Sequence, residues 1–317
     1  MIFMLSDIWF GIHAPPEGRN FDDMKSICKT VEESGFNLFT ITDHLMNMRN
    51  PNGPNNHPLE CWTTLAGLAA VTNKIKLGPL VSCYGYRRPT VLAKMATTVD
   101  IISNGRLIFG IGAGSNRINE TEFKGFFGRF PPAKERLRGL RETVKICKKM
   151  FTNERTTYHG KLYQVDNVLN SPKPIQRPIP IMVGGGGEEV TLKIAAEYAD
   201  ISHFNTRNLD DLERKISALK GHCRAIGRDY DEIRKGTSMS LLMGNTMIEA
   251  EEKLKKRALS SGTPIETLRN QLGAGFGTPK NVTDCLKDYV KRGMGLLTFR
   301  FHDIEDVQIF SKVIPQF

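Results

Sequence analysis

The chain has 317 residues, with 44 Lys+Arg against 34 Asp+Glu, a net charge of +10 and 40% hydrophobic residues. Apolar residues recur from end to end, which excludes a disordered chain and leaves ample material to bury a core. No apolar run reaches the roughly 20 residues of a membrane helix, and Cys28, Cys61, Cys83, Cys147, Cys223 and Cys285 form neither a CxxC pair nor a compact disulfide framework, so a cytoplasmic protein is expected.

The opening MIFMLSDIWFGI is apolar but lacks a basic start, holds Asp7 and offers no small-residue cleavage site. It reads as a first strand rather than a signal peptide. From there the apolar period switches between two and 3.6. A strand over 8–12 leads to a helix over 21–34, stopped by Gly35. Strand 36–42, helix 59–71, strand 75–77, helix 90–102 and strand 107–111 follow, then a helix striped by Leu137, Leu140, Val144, Cys147 and Phe151. In the second half, 179–183, 199–204, 236–243 and 296–301 read as strands. Helices are expected over 188–198, 209–226, about 248–258, 282–292 and 305–313, with Thr278 and Pro279 as the N-cap and first turn of the fourth.

Eight strands alternating with helices, with no polar linker between them, predict an α/β fold: a parallel (β/α)8 TIM barrel forming one domain over 1–317. Chain beyond the roughly 250 residues typical of that fold falls at about 115–134, 152–178 and 245–276. YHGKLYQV, within the second, reads as a small hairpin. Such insertions are expected around the C-terminal mouth.

In a barrel the C-terminal strand ends face ligand, and four of them are distinctive. The second ends in Asp43 and His44, a pair able to hydrogen-bond a polar ring and exchange protons, or merely to cap and pack a turn. Gly78 and Pro79 make the third strand irregular, a possible bulge beside a flat ligand or a plain terminus. Gly112, Ala113 and Gly114 leave room after the fourth, although tight packing explains them equally. The fifth ends in Gly184, Gly185, Gly186 and Gly187 before Glu188, which bares backbone N–H groups at an expected helix N-terminus and favours phosphate binding over a simple turn. There is no HExxH, GxSxG, GxxxxGK[ST] or metal-ligand spacing. The Lys253–Arg257 cluster, set among acids, reads as a solvated face, and His13 is a weak candidate for the pocket.

LGPLVSCYGYRRPTVLAKMATTVDIISNGRLIFGIGAG, ITDH, ECWTTLAGLAAVT, YHGKLYQV, PIMVGGGGEEVTLKIAAEYAD and GTPKNVTDCLKDYVKRG together resemble the bacterial-luciferase-like flavin and deazaflavin oxidoreductases, in particular their coenzyme F420 branch. The resemblance spans nearly the whole chain and implies a cofactor ring lying in the barrel mouth. It implies that Asp43 and His44 contact the ring, with His44 as proton donor. Leu80 and Val81, with Ser82 beside them, would form a bulge in which relatives often carry a non-proline cis peptide. Gly112, Ala113, Gly114 and Asn119 would flank the ring and its polyol chain, and Gly184–Gly187 with Glu188 would hold the phosphate. Sugar-phosphate-oxidising relatives have Glu directly after the Gly-x-Gly of strand four. Here Ser115 stands there, which speaks against that substrate and leaves Glu120 as the nearest candidate for a second acid–base group. Trp62 reads as core packing.

The expected function is hydride transfer between coenzyme F420 and a small organic substrate. The alternatives are an FMN-dependent monooxygenase and a non-catalytic flavin-binding relative. Deazaflavin passes hydride and reacts poorly with oxygen, whereas reduced FMN supports oxygen insertion. The +10 charge suits the acidic F420 tail; nucleic-acid binding lacks a recognition motif. The resemblance also implies a homodimer.

Overall fold

The computed structural model describes residues 8–47, 53, 55–115, 119–206 and 208–317. The start of the expected first-strand segment, 1–7, and Ile118 lie outside them. The strands are β1 (Trp9–His13), β2 (Leu38–Ile41), β3 (Lys76–Pro79), β4 (Ser82–Cys83), β5 (Phe109–Gly112), β6 (Arg155–His159), β7 (Gln164–Leu169), β8 (Ile181–Gly184), β9 (Ile201–Phe204), β10 (Arg234–Ser240), β11 (Leu242–Met243), β12 (Phe276–Gly277) and β13 (Met294–Arg300). The helices are α1 (Phe21–Glu33), α2 (Cys61–Val71), α3 (Pro89–Ile102), α4 (Asn119–Phe127), α5 (Ala133–Thr152), α6 (Thr191–Tyr198), α7 (Leu209–Ala225), α8 (Met247–Ser261), α9 (Ile265–Leu272), α10 (Pro279–Lys291) and α11 (Ile304–Phe310).

Nine strands form one parallel sheet in the order β3-β2-β1-β13-β10-β9-β8-β5-β4. Its two edges, β3 and β4, are consecutive pieces of one stretch, and Leu77 also bridges in parallel to Leu107. The sheet therefore curls into a (β/α)8 barrel whose third strand is broken at Leu80–Val81. β3 pairs with β2, β4 pairs with β5, and the Leu80–Val81 peptide is cis. Closure brings backbones into contact: a Cβ on Gly110 would lie 1.9 Å from the Pro79 carbonyl oxygen, so only glycine fits there.

Local sequence explains the element boundaries. Asn20 and Asp23 form a capping box at α1, Met24, Cys28 and Val31 bury its inner face, and Gly35 follows it with φ 84°. Thr278 and Asn281 cap α10 in the same way, with Pro279 in the first turn. β6 and β7 form the expected hairpin. Three boundaries differ from expectation. The stretch 236–243 divides into β10 and β11, which belong to different sheets. α4 and α9 occupy segments expected as insertions. α6 begins at Thr191 rather than 188, because Glu188–Val190 form a turn in which the Leu192 N–H donates to Gly187 O at 3.0 Å.

Alternation along the strands fills the barrel interior in layers. Leu38, Ile108, Met182, Ile201 and Leu296 form an apolar cluster inside it. Two residues on from Leu38, Ile201 and Leu296 come Thr40, His203 and Thr298, all buried, which make a polar layer nearer the mouth. Trp62 is fully buried in the main core beside Phe109, with ring centroids 5.9 Å apart, and its Nε1–H donates to Ser82 Oγ at 3.2 Å, a packing role as expected.

Candidate active site

The C-terminal strand ends border two cavities that share Leu80, Val81 and Gly114. The larger, about 630 Å³, takes its walls from His13, Gly112, Ala113, Gly184, Gly185, Gly186, His203, Ser238 and Arg300 among others. Arg136 and Leu137 of α5 and Gln271 of α9 form its outer bank. The smaller, about 180 Å³, is bordered by Asp43, His44, Ser82, Ser115 and Asn119. Twelve of the fourteen residues expected around a cofactor, all except Gly187 and Glu188, thus border one or both cavities. A Cβ on Gly112 or Gly184 would fall 2.8 or 2.6 Å from the Val81 side chain, so bare backbone and Val81 together make a wall free of projecting groups.

His44 lies at the centre of a buried polar cluster. Its Nδ1 is 2.9 Å from Glu122 Oε2. The same carboxylate accepts from Tyr86 OH, from the Leu45 and Met46 N–H groups at 2.6 and 3.1 Å, and from Asn119 Nδ2 at 3.3 Å. Burial pushes the Glu122 pKa up, but the bonds from His44, Tyr86 and Leu45 outweigh it and leave it below the usual carboxylate range. An ionised Glu122 only accepts, so His44 Nδ1 carries a proton toward it and Nε2 is left for other partners.

Asp43 borders the smaller cavity as expected. Its carboxylate is fully buried and gripped by Arg87, at 2.7 and 3.0 Å, and by the Ser82 hydroxyl, while Arg87 also binds Glu60. Both of its oxygens accept from protein partners. Glu120 is corrected as a candidate acid: its side chain is 45% exposed and paired with Lys124 on α4, away from both cavities. Asn119 and Glu122, three apart on α4, share the inward face and leave Glu120 outside. Glu122, Tyr86 and Arg87 are therefore the residues that the sequence reading missed; the helical spacing of Asn119 and Glu122 was the available signal.

At the glycine turn, Gly185 has φ 135° and donates its N–H to His203 O at 3.0 Å. Among the described residues, no protein acceptor takes the N–H of Gly186, Gly187 or Glu188. The Glu188 carboxylate turns away from the larger cavity to Arg214 Nε at 2.6 Å, so only its main chain is free to meet an anion. Gly187 lies within the turn but borders neither cavity. Deeper in the barrel, burial lowers the His203 pKa to about 4.

Glu122→Gln is expected to lower turnover about tenfold or more while costing about 1.5–3 kcal/mol of stability, the range for hydrogen bonds to a charged group. Because the folded-state pKa of Glu122 is depressed, its contribution is present above the unfolded value near 4.3 and is lost as pH falls through the folded one. The variant's melting temperature should therefore fall less steeply in acid than that of the wild type, which thermal scans across pH check.

Residues 1–282 match the family described as luciferase-like monooxygenase. The chain is 30% identical over 228 residues to the F420-dependent glucose-6-phosphate dehydrogenase of Kineococcus radiotolerans, covering 71% of this chain and 65% of that enzyme. It is 24% identical over 332 positions to the enzyme of the same name from Amycolatopsis mediterranei, covering 96% and 97%. Its fold superposes on coenzyme F420-dependent tetrahydromethanopterin reductase from Methanopyrus kandleri with a TM-score of 0.80 and 21% identity, over 98% of this chain and 99% of that one. Sequence match, broken third strand and glycine-walled mouth agree, and the chain belongs to the luciferase-like monooxygenase family.

Proposed function

We propose that this protein is a coenzyme F420-dependent oxidoreductase that moves hydride between the cofactor and a small organic substrate. The observation that carries the reading is the arrangement around Leu80–Val81: a smooth wall, with His44, held by Glu122, bordering one cavity and Gly186, whose backbone N–H is open, bordering the other. The chain's relatives named as F420-dependent support the choice of cofactor.

The residues present suit such a group. Val81 with Gly112 and Gly184 would support a planar ring, and the N–H groups of Gly186, Gly187 and Glu188 would receive a phosphate. When bound, F420 supplies a ring that accepts or donates hydride. The chain contributes the rest. Asp43, held by Arg87 and Ser82, fixes the strand end that presents His44. Glu122 sets the His44 tautomer so that Nε2 is the nitrogen available to hold or receive a proton. The walls exclude water from one side. Ser115 replaces the acid of sugar-phosphate-oxidising relatives, and here Glu122 brings a carboxylate to His44 from α4 instead.

Titration of the purified protein with F420 and with FMN, followed by fluorescence, tests the reading. Saturable F420 binding that substrate then reduces is the expected result. Tight binding of FMN alone would overturn it in favour of oxygen insertion. A cytoplasmic location is proposed alongside, supported by six free cysteines, five of them buried, and by the finding that no helix among the described residues is long and apolar enough to cross a membrane. A homodimer is also proposed on the family resemblance, for sedimentation to check.

A further inference from the structure

Along β13 the residues that alternate toward the barrel interior are Leu296, Thr298 and Arg300. Leu296 belongs to the apolar cluster, Thr298 to the polar layer above it, and Arg300, exposed, lines the larger cavity at the mouth. The neighbouring strand matches: Ser238 and Ser240 of β10, in register with Thr298 and Arg300, line the same cavity. Counted round the closed sheet, β13 stands four strands from β5 in either direction, so Arg300 faces the Gly112–Gly114 side of the wall across the opening.

Charge in this cavity is one-sided. The described residues that line it include two arginines, Arg136 and Arg300, and neither an aspartate nor a glutamate. Arg136 is 5% exposed and tied to its own surroundings: it donates to Pro131 O at 2.7 Å, and its guanidinium carbon lies 4.4 Å from the centroid of the Phe130 ring. Like charges around a recess walled by apolar groups focus a positive potential that draws anions. A phosphate at the glycine turn does not account for Arg300. That turn follows β8, three strands from β13 at about 4.8 Å per strand, and it offers its own backbone N–H groups.

We propose that Arg300 binds an oxyanion of the substrate, a carboxylate or a phosphate, and so makes this protein selective for organic anions over neutral compounds of the same skeleton. The planar guanidinium presents paired N–H donors that match two oxygens of such a group. The Ser240 hydroxyl and the Gln271 amide are further donors lining the same cavity. An anion anchored on the strand opposite the wall leaves the rest of the substrate between Arg300 and a ring resting on Val81, Gly112 and Gly184. This rests on the oxidoreductase reading and adds a specificity-determining residue to it.

The test uses the full-length protein saturated with F420, so that the glycine turn is occupied, and inorganic phosphate as the probe, followed by calorimetry at constant ionic strength. The expected result is saturable phosphate binding by the loaded wild type. Arg300→Gln should bind phosphate about tenfold or more weakly, the loss of one charge-assisted hydrogen bond. Lys291→Gln removes the same charge from an exposed position on α10 and should bind phosphate as the wild type does. F420 affinity should change less than about threefold in Arg300→Gln. Equal phosphate affinity in Arg300→Gln and wild type overturns the proposal. A loss of F420 affinity of about tenfold assigns Arg300 to the acidic tail of the cofactor and overturns it as well. If F420 binds and the loaded wild type takes up no phosphate, this inference fails and the oxidoreductase reading stands. If F420 does not bind the wild type, that reading fails, and phosphate titration of Gly185→Val with and without Arg300→Gln still decides whether Arg300 holds an anion.

Discussion

Replacing His44 with alanine is expected to cut turnover by about 10²–10⁴-fold, the range for loss of a positioned proton-transfer group, while leaving F420 affinity within about threefold. The ring donates Nδ1–H to Glu122, and its other nitrogen is the one presented for proton transfer. The fold should tolerate the change. Glu122 keeps Tyr86, Asn119 and two backbone N–H groups, so its charge is not stranded when the imidazole leaves. A small fall in melting temperature with a large fall in kcat is the signature to look for. A kcat within tenfold of wild type would remove His44 from the chemistry.

Gly185→Val is expected to weaken F420 binding by about 100-fold, the equivalent of losing one or two charge-assisted hydrogen bonds. At φ 135° the backbone occupies a region that a β-branched residue does not enter without strain, and the new Cβ would meet Thr191 Cγ2 at 3.0 Å. The turn must shift, and with it the N–H groups of Gly186 and Gly187. Gly221→Ala is the control. It lies on α7, where an added Cβ meets nothing within 4 Å, and should bind F420 as the wild type does. Equal affinities for the two variants would detach the glycine turn from cofactor binding.

The barrel was legible because its strands are short and apolar on both faces and its helices carry clear stripes, as with Met24, Cys28 and Val31 or Leu140, Val144 and Cys147. Trp62 and the hairpin were legible for similar local reasons. α4 was not: in NETEFKGFF, a glycine and adjacent aromatics hide the stripe, and its inward face carries the polar Asn119 and Glu122. A reading that seeks apolar periodicity passes over a helix whose buried side is polar; Glu120 was named as the acid nearest after Ser115, and Glu122 was not weighed. Arg87 escaped for a related reason. Its charge is matched by Asp43 and Glu60, which lie 44 and 27 residues away, and such pairing exists only after the chain has folded. The start of α6 was misplaced because glutamates after glycines look like a first helical turn, whereas here they continue the loop.

The two rims of the curved sheet are joined through Leu80 and Val81, so the strip that shuts the cylinder is also the surface against which a ligand rests. Remodelling that strip trades recognition against the integrity of the entire sheet. The larger cavity also takes Arg136, Leu137 and Gln271 from helices outside that strip, so a change at these positions leaves the closure of the sheet untouched.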